Sequence, residues 1–140
     1  MAAVPFMKRQ RIFWAVGFFT ALVYLISCDN PYDQGRVIYE YHCANCHMSD
    51  GSGIGALIPP LKNADYLQEN WEQLSCIIKY GLADTILVNG VEFNNPMAAI
   101  DELGAVEISN LINYLNHEWN KGNAPFITAD GVKEQLEACD

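Results

Sequence analysis

Basic residues are scarce in this chain of 140 residues: eight lysines and arginines stand against 17 aspartates and glutamates, for a formal net charge of −9. So few positive charges leave no basic patch that could neutralise phosphates, which excludes nucleic-acid binding. Global disorder is excluded as well, because 51% of the residues are hydrophobic and 11% are aromatic, enough apolar mass to bury a core. The length supports one compact domain.

The sequence also lacks a hydrophobic run long enough to span a bilayer. An uncharged, largely apolar run near the N-terminus, residues 12–26, follows three of the eight bases. A helix of that length rises about 22 Å, short of the roughly 30 Å of hydrocarbon in a bilayer. A basic segment before a short apolar core is typical of a cleaved export signal.

Residues 25–28 read Leu-Ile-Ser-Cys and resemble the lipobox of bacterial lipoproteins, in which cleavage before the cysteine leaves its thiol lipidated. We expect residues 1–27 to be a lipoprotein signal peptide, Cys28 to carry the lipid and residues 28–33 to form a short tether. The protein would then be lipid-anchored on the periplasmic side of a bacterial cell membrane; an uncleaved helix that ends at the membrane interface is the alternative.

Cleavage would leave five bases against 17 acids, a net charge of −12. Such an acidic surface favours partners with basic docking faces. Acidity that only keeps the domain soluble is an equal alternative.

The sequence after the tether predicts one domain over residues 34–120 and a tail over residues 121–140. Apolar residues at helical spacing predict a helix that starts at Gln34 and another over residues 105–119. The tail is expected to contain a short helix over residues 129–138, capped by the preceding threonine.

Between these helices the sequence predicts smaller elements. Short helices are expected over residues 63–67 and 69–80. Asn89-Gly90 separates two short runs of β-forming residues, 85–88 and 91–93, which predicts a β-hairpin.

The chemistry of the chain is concentrated in the segment Cys43-Ala44-Asn45-Cys46-His47. Two cysteines separated by two residues can each add to a vinyl group of a haem, and the following histidine then lies under the iron as its proximal ligand. A zinc half-site would need a second ligand pair, and a thioredoxin-type pair would need a strand-helix-strand context. The sequence offers neither, so we predict one covalently attached haem c.

This segment and its surroundings resemble the monohaem class I c-type cytochromes, and the resemblance covers nearly all of the chain after residue 28. It implies an all-α fold of three to five helices around one haem, with a small β-hairpin before the loop of the axial methionine. In that family a glycine and an aromatic residue, at the positions of Gly35 and Tyr39, pack against the last helix. The expected contacts there are Leu111 and Tyr114.

The same resemblance implies the haem surroundings. Pro59 occupies the position of a proline whose carbonyl accepts the Nδ1 proton of the ligand histidine, which fixes the imidazole and raises its basicity. Its neighbour Pro60 is the alternative acceptor. Leu61 is expected to contact the haem.

Met97 is the expected sixth ligand of the iron. Of the four methionines, two lie in the expected signal peptide, and Met48 adjoins His47 and cannot reach the opposite haem face. The resembled family also places its ligand methionine on a loop shortly before the last helix, although it often has proline where Ala98 follows here. The other candidates for the iron are His42 and His117.

Two cysteines are left over once Cys28, Cys43 and Cys46 are assigned. In an oxidising compartment such a pair, Cys76 and Cys139, suggests a disulfide that connects the tail to the body. Two unpaired thiols are the equal alternative, because sequence does not show whether the Cα atoms come within reach.

An iron bound by both His47 and Met97 has no open position for a substrate, so the chain is predicted to carry electrons without being an enzyme itself. The expected donor is a membrane-bound quinol-oxidising complex, and the expected acceptor is a terminal oxidase. The alternatives are a haem-containing structural subunit of a larger respiratory complex and a five-coordinate haem protein that binds a gas or acts as an enzyme.

Overall fold

The computed structural model describes residues 30–139, so the predicted signal peptide and Cys28 lie outside the described residues. Within this range, none of the helices is both long and apolar enough to cross a bilayer. The predicted all-α class with one small hairpin is confirmed. The elements are α1 (Asp33–His42), α2 (Ala44–His47), α3 (Asp65–Glu69), a 3₁₀ helix (Trp71–Gln73), α4 (Leu74–Tyr80), β1 (Ile86–Val88), β2 (Val91–Phe93), α5 (Ala105–Trp119) and α6 (Ala129–Glu137).

Helices α1 and α5 pack closely against each other. A Cβ added at Gly35 would lie 2.2 Å from the carbonyl oxygen of Asn110 and 2.5 Å from the Cβ of Tyr114, so this approach requires glycine. One turn later Tyr39 is fully buried, and its ring centroid lies 5.7 Å from that of Tyr114 and 4.9 Å from that of Trp119. Packing on Tyr114 follows the prediction, whereas Asn110 is a contact that the sequence did not indicate.

The two short helices predicted over residues 63–67 and 69–80 are present with shifted bounds: α3 ends at Glu69, and the second helix begins as the 3₁₀ helix at Trp71 and ends as α4 at Tyr80, so the break lies at Asn70. This residue leaves helical geometry with φ −108° and ψ 28°, and its side-chain amide donates to the carbonyl of Tyr66 at 2.9 Å. Such a local bond offers the backbone an alternative to continuing the helix. The chain then forms the 3₁₀ helix and α4, which stops at Gly81 with a φ of 80°.

The predicted hairpin is present, with β1 and β2 antiparallel and Ile86 opposite Phe93. Asn89 and Gly90 have φ values of 51° and 79°, as a two-residue type I′ turn requires. The backbone N–H of Asn89 donates to Oδ1 of Asp65 at 2.7 Å, and the N–H of Asp65 donates to Oδ1 of Asn89 at 3.1 Å. These two bonds attach the turn to the start of α3.

The tail folds back against α5. As predicted, Thr128 caps α6, because its Oγ1 accepts the N–H of Gly131 at 3.1 Å. The side-chain amide of Asn113 donates to the carbonyl of Ile127 at 2.8 Å and accepts the N–H of the same residue at 3.0 Å. The connection between α5 and α6 is therefore fixed by specific bonds to α5.

A disulfide connects the tail to α4. It joins Cys76 to Cys139, which are 63 positions apart in sequence and have Cα atoms 5.8 Å apart. Beside it, Oγ of Ser75 donates to Oε1 of Gln135 at 2.6 Å. Of the two alternatives that the sequence left open for these cysteines, the structure contains the bridge.

Substituting Gly35→Ala should lower the free energy of unfolding by about 1–3 kcal/mol, because the new methyl group would force α1 away from α5. Urea denaturation measures the change. The matched control is Gly131→Ala in α6, where an added Cβ would have its nearest neighbour at 3.3 Å. The control should stay within about 1 kcal/mol of the wild type, and equal losses in both variants would contradict the role given to Gly35.

Replacing both Cys76 and Cys139 by serine should lower the free energy of unfolding by about 2–4 kcal/mol, because the bridge restricts the unfolded chain over a long loop. Denaturation of the wild type under reducing conditions should give a similar loss. If the double variant and the oxidised wild type unfold at the same urea concentration, the bridge does not stabilise the fold.

Candidate functional site

The described residues line a cavity of about 450 Å³, a size typical of small-molecule and cofactor sites. Its wall is mostly apolar and is built from α4, the hairpin and α5. The apolar lining includes Leu74, Ile77 and Ile78 of α4, Ile86, Val88 and Phe93 of the hairpin, and Leu111 and Leu115 of α5.

One side of the cavity is formed by residues 43–47. Directly after α1 the N–H groups of Cys46 and His47 both donate to the carbonyl of Cys43, at 3.1 and 2.9 Å. This tight turn brings both predicted attachment cysteines and the predicted ligand histidine to the same cavity. Cys43 is buried and Cys46 is exposed. Burial, with a smaller contribution from the charge of Cys46, raises the pKa of the Cys43 thiol to about 12, so this thiol is protonated at neutral pH.

The imidazole of His47 is oriented by a hydrogen bond. Its Nδ1 lies 3.1 Å from the carbonyl oxygen of Pro59, the predicted acceptor. Because a carbonyl can only accept, Nδ1 donates and Nε2 keeps the lone pair that a metal can bind. Burial lowers the pKa of His47, and the bond to Pro59 opposes this effect in part, so the neutral imidazole is favoured. Pro60 and Leu61 also line the cavity.

Met97 lines the same cavity and is fixed by backbone bonds. It exchanges two hydrogen bonds with Leu82, of 2.8 and 3.0 Å. A Cβ at Gly81 would lie 2.5 Å from the carbonyl oxygen of Met97, so a glycine is needed for the loop to approach this closely. Three residues further on, the N–H of Ile100 donates to the carbonyl of Ile78 at 3.1 Å. The loop of Met97 is thus attached to the C-terminal end of α4.

The competing candidates for the iron are placed differently. Met48 is not among the described residues that line the cavity. His117 is on the exposed side of α5, where its ring stacks on Tyr32 at a centroid distance of 4.2 Å. His42 does line the cavity, and its Nδ1 lies 3.5 Å from a carboxylate oxygen of Glu102.

Two polar contacts around the site were missed by the sequence reasoning. The hydroxyl of Tyr39, treated there as a packing residue only, donates to the carbonyl of Met48 at 2.6 Å. Burial raises the pKa of Tyr39, which keeps this hydroxyl protonated. A buried tyrosine usually has a partner for its hydroxyl, and this preference is the signal that could have found the bond. In the second contact, Nζ of Lys79 donates to the carbonyl of Leu103 at 2.9 Å. No feature of the sequence predicts this bond.

The groups that surround the cavity fit a covalently bound haem. Two cysteines separated by two residues, one neutral imidazole and one methionine border a largely apolar space. Imidazole and thioether are established axial ligands of haem iron in electron-transfer proteins. Within residues 30–139, no lysine or arginine lines the cavity.

Comparisons with known proteins point to the same cofactor. A family model described as Cytochrome c matches residues 32–119, from the start of α1 to the end of α5. The chain is also similar to the cytochrome c subunit of a quinone alcohol dehydrogenase from Gluconobacter oxydans (strain 621H), with 27% identity over 111 residues, or 73% of this chain. The chain spans 22% of the length of that relative.

Proposed function

Because the chain belongs to the cytochrome c family, whose cofactor is covalently bound haem c, we propose that it carries single electrons between respiratory complexes while tethered to a membrane. The observation that carries this proposal is the convergence of His47, Met97 and two cysteines on one apolar cavity. When bound, the haem supplies a one-electron couple between ferric and ferrous iron.

Each residue at the cavity has a defined role in this proposal. Cys43 and Cys46 would hold the porphyrin through their sulfur atoms, and the imidazole of His47 would bind the iron. The sulfur of Met97 would be the second ligand of the iron. Pro59 orients the imidazole and raises its basicity through the bond to Nδ1, and Leu61 contacts the cofactor.

The ligand set supports electron transfer over catalysis. With His47 and Met97 both as ligands, the iron would have no open position for oxygen, peroxide or a substrate. The apolar wall disfavours the additional charge of ferric iron, and thioether ligation favours ferrous iron as well. Both effects raise the reduction potential, which suits an acceptor from a quinol-oxidising complex and a donor to a terminal oxidase.

The sequence supports a location on the periplasmic side of a bacterial cell membrane. The Leu-Ile-Ser-Cys segment at residues 25–28 favours a lipid on Cys28. A carrier confined to the membrane surface meets membrane-bound partners at high effective concentration, so each contact can stay weak and turnover fast. The net charge of −12 expected after cleavage favours basic docking faces on those partners.

A second candidate is a cytochrome subunit of a larger oxidoreductase complex, which the similarity to a subunit of a quinone alcohol dehydrogenase favours. The two candidate functions differ in whether the protein stays bound to its partner proteins. A free carrier should leave detergent-solubilised membranes as a single small species on size-exclusion chromatography, whereas a subunit should elute with its complex at stoichiometric amounts.

Met97→Ala should abolish the sulfur-to-iron charge-transfer band of the ferric protein, because the variant lacks the thioether ligand. The open coordination position should also let the ferrous variant bind carbon monoxide, while the ferrous wild type binds it poorly. Absorption spectra of both oxidation states, with and without carbon monoxide, measure these changes.

Met48→Leu is the matched control, since this methionine does not line the cavity. Its charge-transfer band should remain. A band that persists in Met97→Ala would refute the assignment of Met97, and a wild type that readily binds carbon monoxide would favour the five-coordinate alternative.

Electron transfer to the protein from its quinol-oxidising complex should slow by about tenfold or more as salt rises from about 10 mM to about 0.5 M, because ions screen the attraction between an acidic carrier and a basic partner. Stopped-flow absorption of the haem measures the rate. Reduction by a small uncharged reductant serves as the control and should not respond to salt. A protein-to-protein rate that is constant over the range rules out steering by the acidic surface.

A further inference from the structure

Met48, the residue directly after His47, has a strained backbone. Its φ of 63° and ψ of 153° lie in a region that is essentially reserved for glycine. Residues with a Cβ persist in this region only where their surroundings impose the conformation. The contacts of Met48 should therefore show what imposes it.

The carbonyl of Met48 accepts two hydrogen bonds. One comes from the N–H of Gly51 at 3.1 Å and closes a turn over residues 48–51. The other comes from the hydroxyl of Tyr39 at 2.6 Å, and Tyr39 is fully buried against Tyr114 and Trp119. The side chain of Tyr39 is thus a fixed donor on α1, packed at the crossing with α5.

The strained peptide is coupled to the orientation of His47. The carbonyl of His47 belongs to the peptide bond that joins His47 to Met48, and it accepts the N–H of Gly53 at 3.0 Å. Gly53 in turn lies directly against Pro59, since a Cβ there would be 2.7 Å from the Pro59 carbonyl oxygen. That oxygen accepts the bond from Nδ1 of His47. A change in the backbone conformation of Met48 would therefore move Gly53 and Pro59 relative to His47.

We propose that Tyr39 is a positioning residue for the iron ligand His47: its hydroxyl keeps Met48 in the strained conformation that aligns the imidazole with the carbonyl of Pro59. This inference rests on the proposed role of His47 as an axial ligand. It assigns the hydroxyl a function beyond the packing that a phenylalanine could supply at the same position.

Tyr39→Phe in the haem-loaded protein tests the proposal, because it keeps the ring and removes only the donor. Relaxation of Met48 should lengthen the bond from His47 to Pro59 and weaken electron donation by the imidazole to the iron. We expect the ferrous-to-ferric ratio at a fixed ambient potential to rise about threefold, equivalent to about 30 mV in midpoint potential for one electron. The unfolding equilibrium constant should rise by about tenfold.

Met48→Gly supplies the decisive second variant. Glycine adopts the same backbone conformation without strain, so the turn over residues 48–51 should form without the hydroxyl of Tyr39. The double variant Tyr39→Phe, Met48→Gly should therefore recover the wild-type potential. Met48→Gly alone should lower the unfolding equilibrium constant by about threefold. Tyr114→Phe is the matched control, because its ring contacts Tyr39 and, among the described residues, its hydroxyl donates nothing to the turn; its potential should not change.

The outcomes separate a positioning role from a structural one. If Tyr39→Phe destabilises the protein but leaves the potential unchanged, the hydroxyl only stabilises the fold and the proposal is overturned. If the potential changes but Met48→Gly does not restore it, the hydroxyl does not act through the backbone of Met48, which also overturns the proposal. The absorption spectrum of the wild type, recorded first, shows separately whether the proposed function itself fails. If it lacks the signature of histidine and methionine ligation, the proposed function fails independently of Tyr39.

Discussion

The close crossing of α1 and α5 at Gly35 is the constraint on which the cavity depends. Helix α1 continues directly into the turn of residues 43–47, so the position of α1 decides where the two thiols and the imidazole lie. Gly35 sets how near the helices approach, and Tyr39 fixes their rotation by packing between Tyr114 and Trp119. One packing contact therefore transmits the geometry of the helix pair to the site.

The position of Met97 at the cavity depends on a different part of the chain. The loop of Met97 has no regular structure beyond its bridge to Leu82 and takes its position from the end of α4. Helix α4 is connected in turn to the tail by the disulfide of Cys76 and the bond of Ser75 to Gln135. The tail lies outside the region that the family model matches, yet it braces the helix to which the methionine loop is attached.

Local signals made much of this arrangement predictable. The Cys-x-x-Cys-His segment, the Asn89-Gly90 turn and the helix over residues 105–119 are all encoded within a few neighbouring residues, and the fold class followed from them. The break between the two short helices was predicted at residue 68 and lies at Asn70, because apolar spacing does not report a side chain that competes for the backbone. The bonds of Tyr39 and Lys79 join residues 9 and 24 positions apart, and such contacts exist only once the chain has folded. For the same reason the cysteines left over after haem attachment could be counted but not paired from sequence.

The bridge between α4 and the tail also has a consequence for the biogenesis of the protein. Four cysteines lie within residues 30–139, and they allow six different single disulfides, of which one, 76–139, leaves residues 43 and 46 free to react with a porphyrin. Synthesis proceeds from the N-terminus, so Cys76 emerges long before its partner Cys139, at a time when Cys43 and Cys46 are already present. Closure of the tail onto α4 brings Cys139 to Cys76 and thereby leaves the two attachment cysteines to the porphyrin.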